Sequence, residues 1–238
     1  MILIVASTVD EVAPVLAVRW AHRGARVLTP KDLSCGGWRW RLGASTSDAA
    51  SCREGTIPTD KIHGVLTRLP CVSDRDLPHI KTEDRAYAGM EMQAFLFAWL
   101  AGLRCPVLNR PTAFCLNGPS WRPEQWVRLA AHSGLPVDPA RRSLVKGEAL
   151  QAAAIPGAEA IAVTIAGTGC AGSSDPVLIG RARQLAAAAG LSLLTVFFDR
   201  SDASSKFVGA SPWANVADPV IADLVLACFP DAVTTALE

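Results

Sequence analysis

The sequence predicts an α/β protein whose first domain is a parallel sheet flanked by helices. Three stretches at its start carry this: the apolar run Ile2 to Ala6, helical apolar spacing from Asp10 to Arg23, and the second strand-like run ARVLTP. Gly24 stops the helix between the two strands, and strand, helix and strand this close together form a parallel βαβ opening. Composition agrees. With 238 residues, 50% hydrophobic and 19% charged, the chain fits one large or two small globular domains. Lys+Arg 23 against Asp+Glu 22 leaves a net charge of +1, which gives no field for gathering a phosphate backbone and argues against nucleic-acid binding. No apolar run approaches the roughly 20 residues of a membrane helix. The N-terminus lacks a basic segment and meets Asp10 and Glu11 early, which argues against a secretory signal and for the cytoplasm. Seven cysteines, an odd number with no C-x-x-C, read as reduced thiols, with Cys105, Cys115 and Cys228 as small apolar residues.

The remaining elements follow in order. Residues 34–56 read as irregular, with Trp38-Arg39-Trp40-Arg41 alternating as an edge strand would, Trp on one face and Arg on the other. Ile62 to Arg68 is a strand that delivers Arg68 to its C-terminal end, where parallel sheets place ligands. Glu83 to Leu103 is a long helix whose stripe Met90, Ala94, Phe97, Ala98 and Leu100 is expected to face the core, with Glu91 beside it. Pro106 to Pro111 forms a short strand ending in Asn109-Arg110-Pro111, and Pro123 to Ser133 a helix with Gly134 after it. From Ala158 a second segment begins: a strand through Ala166, a Gly/Ser loop, a helix from Asp175 to Ala189, the strand LSLLTVFF, a strand over Lys206–Gly209 and a helix over Asp218–Phe229.

Gly167, Gly169 and Gly172 match G-x-G-x-x-G after a strand, and Asp199 ends the next strand where a ribose-binding acid would stand. Against a nucleotide loop, Ser173 to Pro176 delay the helix whose amides would meet phosphate, and Asp175 would repel it. A plain turn is the favoured reading, with cofactor binding by this loop and Asp199 as the alternative.

From Thr67 to Val137 the chain resembles the preceding and linker regions of ATP-grasp ligases, in the branch that contains peptide-modifying and glutathione-synthetase-like enzymes. The likeness is carried by Arg68 at a strand end, by Asp84-Arg85, Tyr87 and Glu91 on the next helix, by Asn109-Arg110-Pro111, and by Gly134-Leu135-Pro136. The run GRARQLAAAAGLSLLTVFF resembles the family's helix and strand that enter the catalytic core. The resemblance implies a pre-ATP-grasp-like domain over 1–140 and a reduced C-terminal lobe over 141–238 that lacks the ATP-clamping subdomain. Where the family has its Lys before the linker helix, this chain has Ser120 to Gln125. The family's metal-binding Asp aligns with Phe197, and its E-x-N step with Phe207-Val208-Gly209 ahead of Pro212. Asp199 and Asp202 lie in the following turn.

These departures imply a non-catalytic ATP-grasp-like protein that recognises a peptide or small acidic ligand and acts with a partner in a biosynthetic or modification pathway. No cofactor, metal site or catalytic set is expected, and the partner is a second copy or an ATP-grasp ligase. One alternative is an ATP/Mg-dependent minimal ligase completed by a partner, using Asp199 and Asp202. Another is a structural dimer subunit with Trp121, Trp126 and Trp213 at its interface or core. The expected ligand-binding residues are Arg68, Arg75, Tyr87, Glu91, Asn109 and Arg110. Arg68, Glu91 and Arg110 are expected to converge, either to grip a carboxylate or as a buried brace.

Overall fold

A computed structural model describes residues 1–41, 48–138 and 160–230. The strands are β1 (Ile2–Ala6), β2 (Arg26–Leu28), β3 (Ala49–Cys52), β4 (Gly55–Pro58), β5 (Gly64–Arg68), β6 (Val107–Leu108), β7 (Ile161–Ala166), β8 (Gly169–Ala171), β9 (Leu193–Phe198) and β10 (Phe207–Ser211). The α-helices are α1 (Val12–Arg19), α2 (Arg85–Gly102), α3 (Pro123–His132), α4 (Pro176–Ala189) and α5 (Pro219–Leu226). They form two compact units, Met1–Pro119 with Val216–Glu238, and Ser120–Asn215. The expected division at 140/141 lies outside the described residues. Helix α3 groups with the second unit and α5 with the first.

In the first unit a parallel sheet of order β2-β1-β5-β6 bears out the α/β reading. Strand β1 is buried at all five positions because it is central and covered on both faces. On one face Leu3, Val5, Val65 and Val107 pack with Leu96, Trp99 and Leu100 of α2. The terminal helix α5 is tied to α1 by the Arg19–Asp223 ion pair at 2.7 Å. After it, Phe229 lies so close to Gly64 that a Cβ there would come within 2.1 Å of its ring.

Three expectations need correction in this unit. Residues 34–56 are not wholly irregular, because β3 and β4 form a hairpin beginning at Ala49. The Trp-Arg segment makes one bridge, Arg39 to Ala49, rather than an edge strand. Its alternation survives: Trp38 stacks edge-on to Phe95 at 5.2 Å and to Trp99 at 5.4 Å, while Arg39 is exposed. The α2 stripe is also differently phased. Gly89, Leu96, Trp99 and Leu100 are buried, whereas Met90, Ala94, Ala98 and Glu91 face outward. A helix with apolar residues around most of its circumference has no unique inward phase, and the bulkier Leu96 and Trp99 take the interior.

The second unit holds an antiparallel sheet of order β10-β9-β7-β8 with α3 and α4. Asp175 caps α4 by accepting from the Val177 amide at 2.7 Å, and Gly190 ends it at φ +66. Trp121 and Trp126 stack edge-on at 4.7 Å, while Trp213 is 43% exposed. Among the described residues, no helix is long and apolar enough to cross a membrane.

Candidate functional site at the end of the first sheet

Strands β1 and β5 run parallel, with Ala6 beside Arg68, so the loops that follow them leave the same sheet edge. Asp10, just after β1, caps α1 by accepting from the Val12 and Ala13 amides at 2.9 and 3.2 Å. The same carboxylate takes a two-pronged ion pair from Arg68, whose Nε donates to Oδ2 at 2.8 Å and whose Nη2 donates to Oδ1 at 3.2 Å. Both side chains are only 9% exposed. The planar guanidinium fork is thereby matched to the carboxylate and joins the start of α1 to the end of β5.

A second carboxylate ties the same two loops. Asp76, 1% exposed, accepts from the Ser7 hydroxyl at 2.5 Å, the Thr8 amide at 3.1 Å, the Ser73 amide at 2.9 Å and the Ser73 hydroxyl at 2.7 Å. Burial pushes its pKa up, but the hydrogen bonds from Ser7, Ser73 and Thr8 outweigh burial and hold it below the ordinary carboxylate value. The stabilisation from this depressed pKa is present above the unfolded value of about 3.9 and is lost as pH falls through the lower folded value. Asp76→Asn is expected to lower stability at neutral pH by about 1–3 kcal/mol. The deficit against the native chain should shrink as pH drops below about 3.9, in urea midpoints measured across a pH series.

Arg68, Glu91 and Arg110, expected to converge, do not. Arg68 is bound to Asp10. Arg110 donates to the carbonyls of Leu100, Ala101, Leu103 and Cys105 at 3.1–3.4 Å and so closes the C-terminal end of α2. Glu91 is exposed and pairs with neither arginine, because the phase of α2 turns it outward. Tyr87 is 67% exposed on the same helix. Arg75 is exposed, with its carbonyl accepting from the Thr8 hydroxyl at 3.3 Å. Asn109 is 2% exposed and follows β6. Sequence reasoning did not select Asp10, Asp76 and Ser73, although Ser73-x-x-Asp76 is a capping box. Thr67 and Asn117 are also buried at or near this edge, and neither the Thr67 Oγ1 nor the Asn117 Oδ1 has a hydrogen-bond partner. Beside it a cleft of about 240 Å³ is lined by Val72, Asp74, Arg85, Met90, Gln93 and Phe97, among others.

The glycine loop in the second unit is a hairpin. Strands β7 and β8 pair antiparallel with Ala166 opposite Gly169, Gly167 stands at φ +55, and the helix does not begin until Pro176. Among the described residues, no helix N-terminus opens onto these glycines. Asp199 is engaged in the β9–β10 turn, where it accepts from the Lys206 amide at 2.7 Å and the Ser205 hydroxyl at 3.1 Å. The Lys206 amide, with Ser205 and the nearby Arg200, holds its pKa below the ordinary value against a weaker effect of burial.

No protein-family model and no curated protein matches the sequence. Solved structures do match. The macrocyclase MdnC bound with precursor peptide MdnA from Microcystis aeruginosa MRC superposes with a TM-score of 0.62 at 13% identity, covering 95% of this chain and 99% of that one. The ATP-grasp ligase PsnB, complexed with minimal precursor, Mg and ADP, gives 0.62 at 15% identity over 95% and 97%. The fold is ATP-grasp-like. The Chryseobacterium gregarium RiPP-associated ATP-grasp ligase, in complex with ADP and a leader and core peptide, agrees at 0.61 and 11% identity over 97% of each chain. The interval expected to stand in place of the ATP-grasp clamp, 139–159, lies outside the described residues.

An ATP-grasp fold implies ATP and magnesium, and the positions that the sequence resemblance aligns with the family's metal ligands are Phe197 and Phe207-Val208-Gly209, whose side chains do not fit the ion. On the antiparallel β9–β10 pair, Phe197 lies opposite Gly209 and Phe198 opposite Phe207. Phe207 is 4% exposed within the core of this unit. A phenyl ring and a bare glycine offer magnesium no side-chain oxygen. Among the described residues no group of His, Cys, Asp or Glu is placed to hold a metal ion.

Proposed function

We propose that this chain is a peptide-recognising protein on an ATP-grasp fold that does not itself perform ATP-dependent ligation and acts with a partner in peptide modification. The observation that supports this reading is that Phe197, Phe207 and Gly209, paired on β9–β10 and aligned by the resemblance with the family's metal-binding positions, carry no side-chain oxygen. Peptide as the ligand class is supported by the fold neighbours, three of which were crystallised with precursor peptides. Arg68 and Arg110 then act as braces that shape the sheet edge. Exposed Arg75 offers the guanidinium for an acidic group, with Asn109 beside the strand end.

Titration calorimetry of the purified chain with ATP and magnesium chloride is expected to give no binding heat. Magnesium-dependent ATP binding in the micromolar range would overturn the reading. A short fluorescein-labelled Asp/Glu-rich peptide is expected to bind in an anisotropy assay. Arg75→Ala should weaken it by up to about fivefold, roughly 1 kcal/mol for an exposed charge-assisted contact. Equal affinity in the variant, or no binding by the native chain, removes Arg75 from the site.

A further inference from the structure

We infer that Cys71 and Cys115 form a peroxide-sensitive thiol pair, a modification site in the first unit that closes to a disulfide on oxidation and reopens with a dithiol. Cys71 follows the end of β5 and is exposed, while Cys115 closes a turn after β6, bridged to Thr112, and is 7% exposed. The backbone joins the two segments, because the Leu116 amide donates to the Pro70 carbonyl at 2.9 Å. The donating peptide unit begins at the Cα of Cys115, and the accepting one ends at the Cα of Cys71. Standard peptide dimensions and a near-straight hydrogen bond then set these Cα atoms about 4–7 Å apart at any twist between the two units. Disulfide bridges span about 4.4–6.8 Å between Cα atoms. The two thiols also feel each other. Burial pushes the Cys115 thiol up, the Asn117 amide works against that rise, and Cys71 adds to it.

Exposure divides the roles. Peroxide reaches the Cys71 sulfur from solvent, and the thiolate attacks one of its oxygens. The O–O bond breaks, Cys71 becomes a sulfenic acid, and the departing hydroxide takes up the thiol's proton as water. The Cys115 sulfur then attacks the Cys71 sulfur, the S–O bond breaks, and a second water leaves with the Cys115 proton. Two thiols and one peroxide thus give one disulfide and two waters. Burial shields Cys115 from direct oxidation, and its closeness captures the sulfenic acid before a second peroxide can oxidise it further. The bond ties the loop that carries Arg75 and Asp76 to the turn after β6. It is independent of the peptide reading, since neither sulfur belongs to the residues that reading uses.

Peptide mapping tests the pair. The purified chain is treated with hydrogen peroxide, its remaining thiols are blocked with iodoacetamide in urea, and it is digested with trypsin. A crosslink between the tryptic peptides 69–75 and 105–128 is expected, and dithiothreitol should remove it. Because 105–128 also contains Cys105, variants assign the bond. Cys71→Ser and Cys115→Ser should each abolish it, and Cys105→Ser should keep it. So should Cys35→Ser, which removes the other exposed thiol. Cys71→Ser alters an exposed side chain, so its result stands even where Cys115→Ser folds poorly. The urea midpoint of the native chain should rise on oxidation and return with dithiothreitol, because the crosslink restricts the unfolded chain, and it should not rise in Cys71→Ser. Cys71 recovered unmodified or as sulfinic acid, with no crosslink, overturns the inference. So does a crosslink that survives Cys115→Ser, or a crosslinked chain whose midpoint does not rise.

Discussion

Arg68→Met is expected to destabilise the first unit by about 3–5 kcal/mol, because it leaves the Asp10 carboxylate buried and stripped of its guanidinium. The two side chains are each 9% exposed and meet through two hydrogen bonds. Breaking one half of such a pair costs far more than the pair itself contributes. Asp10→Asn keeps an oxygen to cap α1, so the double variant Asp10→Asn/Arg68→Met should recover at least about half of the loss. Urea unfolding followed by tryptophan fluorescence reads both values. A loss below about 1 kcal/mol for Arg68→Met is the range of a solvated surface pair, and it would return Arg68 to the ligand-binding set.

The first sheet was legible because its strands announce themselves locally. Ile2 to Ala6 and Gly64 to Arg68 are short, wholly buried runs bounded by turn residues, and parallel strands covered on both faces must read that way. Helix ends were legible for the same local reason: Asp175 and Asp218 each accept from the amide two residues on, and Gly190 adopts the left-handed conformation. The phase of α2 was not local. It depends on Trp38 and Trp40 arriving from a distant loop to cover Phe95 and Trp99, and no periodicity within the helix encodes that arrival. The hairpin of β3 and β4 was hidden because AASC has no β-branched or aromatic residue and the two β-branched residues of GTIP stand between Gly55 and Pro58.

The site was less legible than the fold, and the two arginines show why. A strand-end Arg in a parallel sheet points equally to a ligand or to a brace, and the choice is made by a carboxylate far away in sequence. Arg68 and Asp10 are 58 residues apart, and Arg110 directs its donors to carbonyls that any helix end exposes. Phe197, Phe207 and Gly209 bear on the site only through the resemblance that aligns them with the family's metal-binding positions, and what the sequence supplies there is that their side chains carry no oxygen.

Gly172→Ala is expected to cost the second unit at least about 3 kcal/mol, with no nucleotide involved. Gly172 sits at φ +96, a conformation open to few side chains, and a Cβ there would come within 2.0 Å of the Ala162 carbonyl oxygen. That oxygen is backbone of β7, so relief requires moving the sheet. Gly180, in the same unit, lies inside α4 with nothing within 4 Å of a Cβ, and Gly180→Ala should stabilise by about 0.5–1 kcal/mol. The opposite signs separate two meanings of G-x-G-x-x-G. A phosphate loop needs glycine so that a ligand can approach, and its loss would leave unfolding in the absence of ligand nearly unchanged. Leaving the β7–β8 hairpin, the chain needs glycine at 172 so that its own backbone can pass close against β7, and its loss destabilises the protein with no ligand bound. Urea midpoints for the two variants decide between them: a Gly172→Ala midpoint within error of the native chain would remove the hairpin account and reopen this loop to a nucleotide.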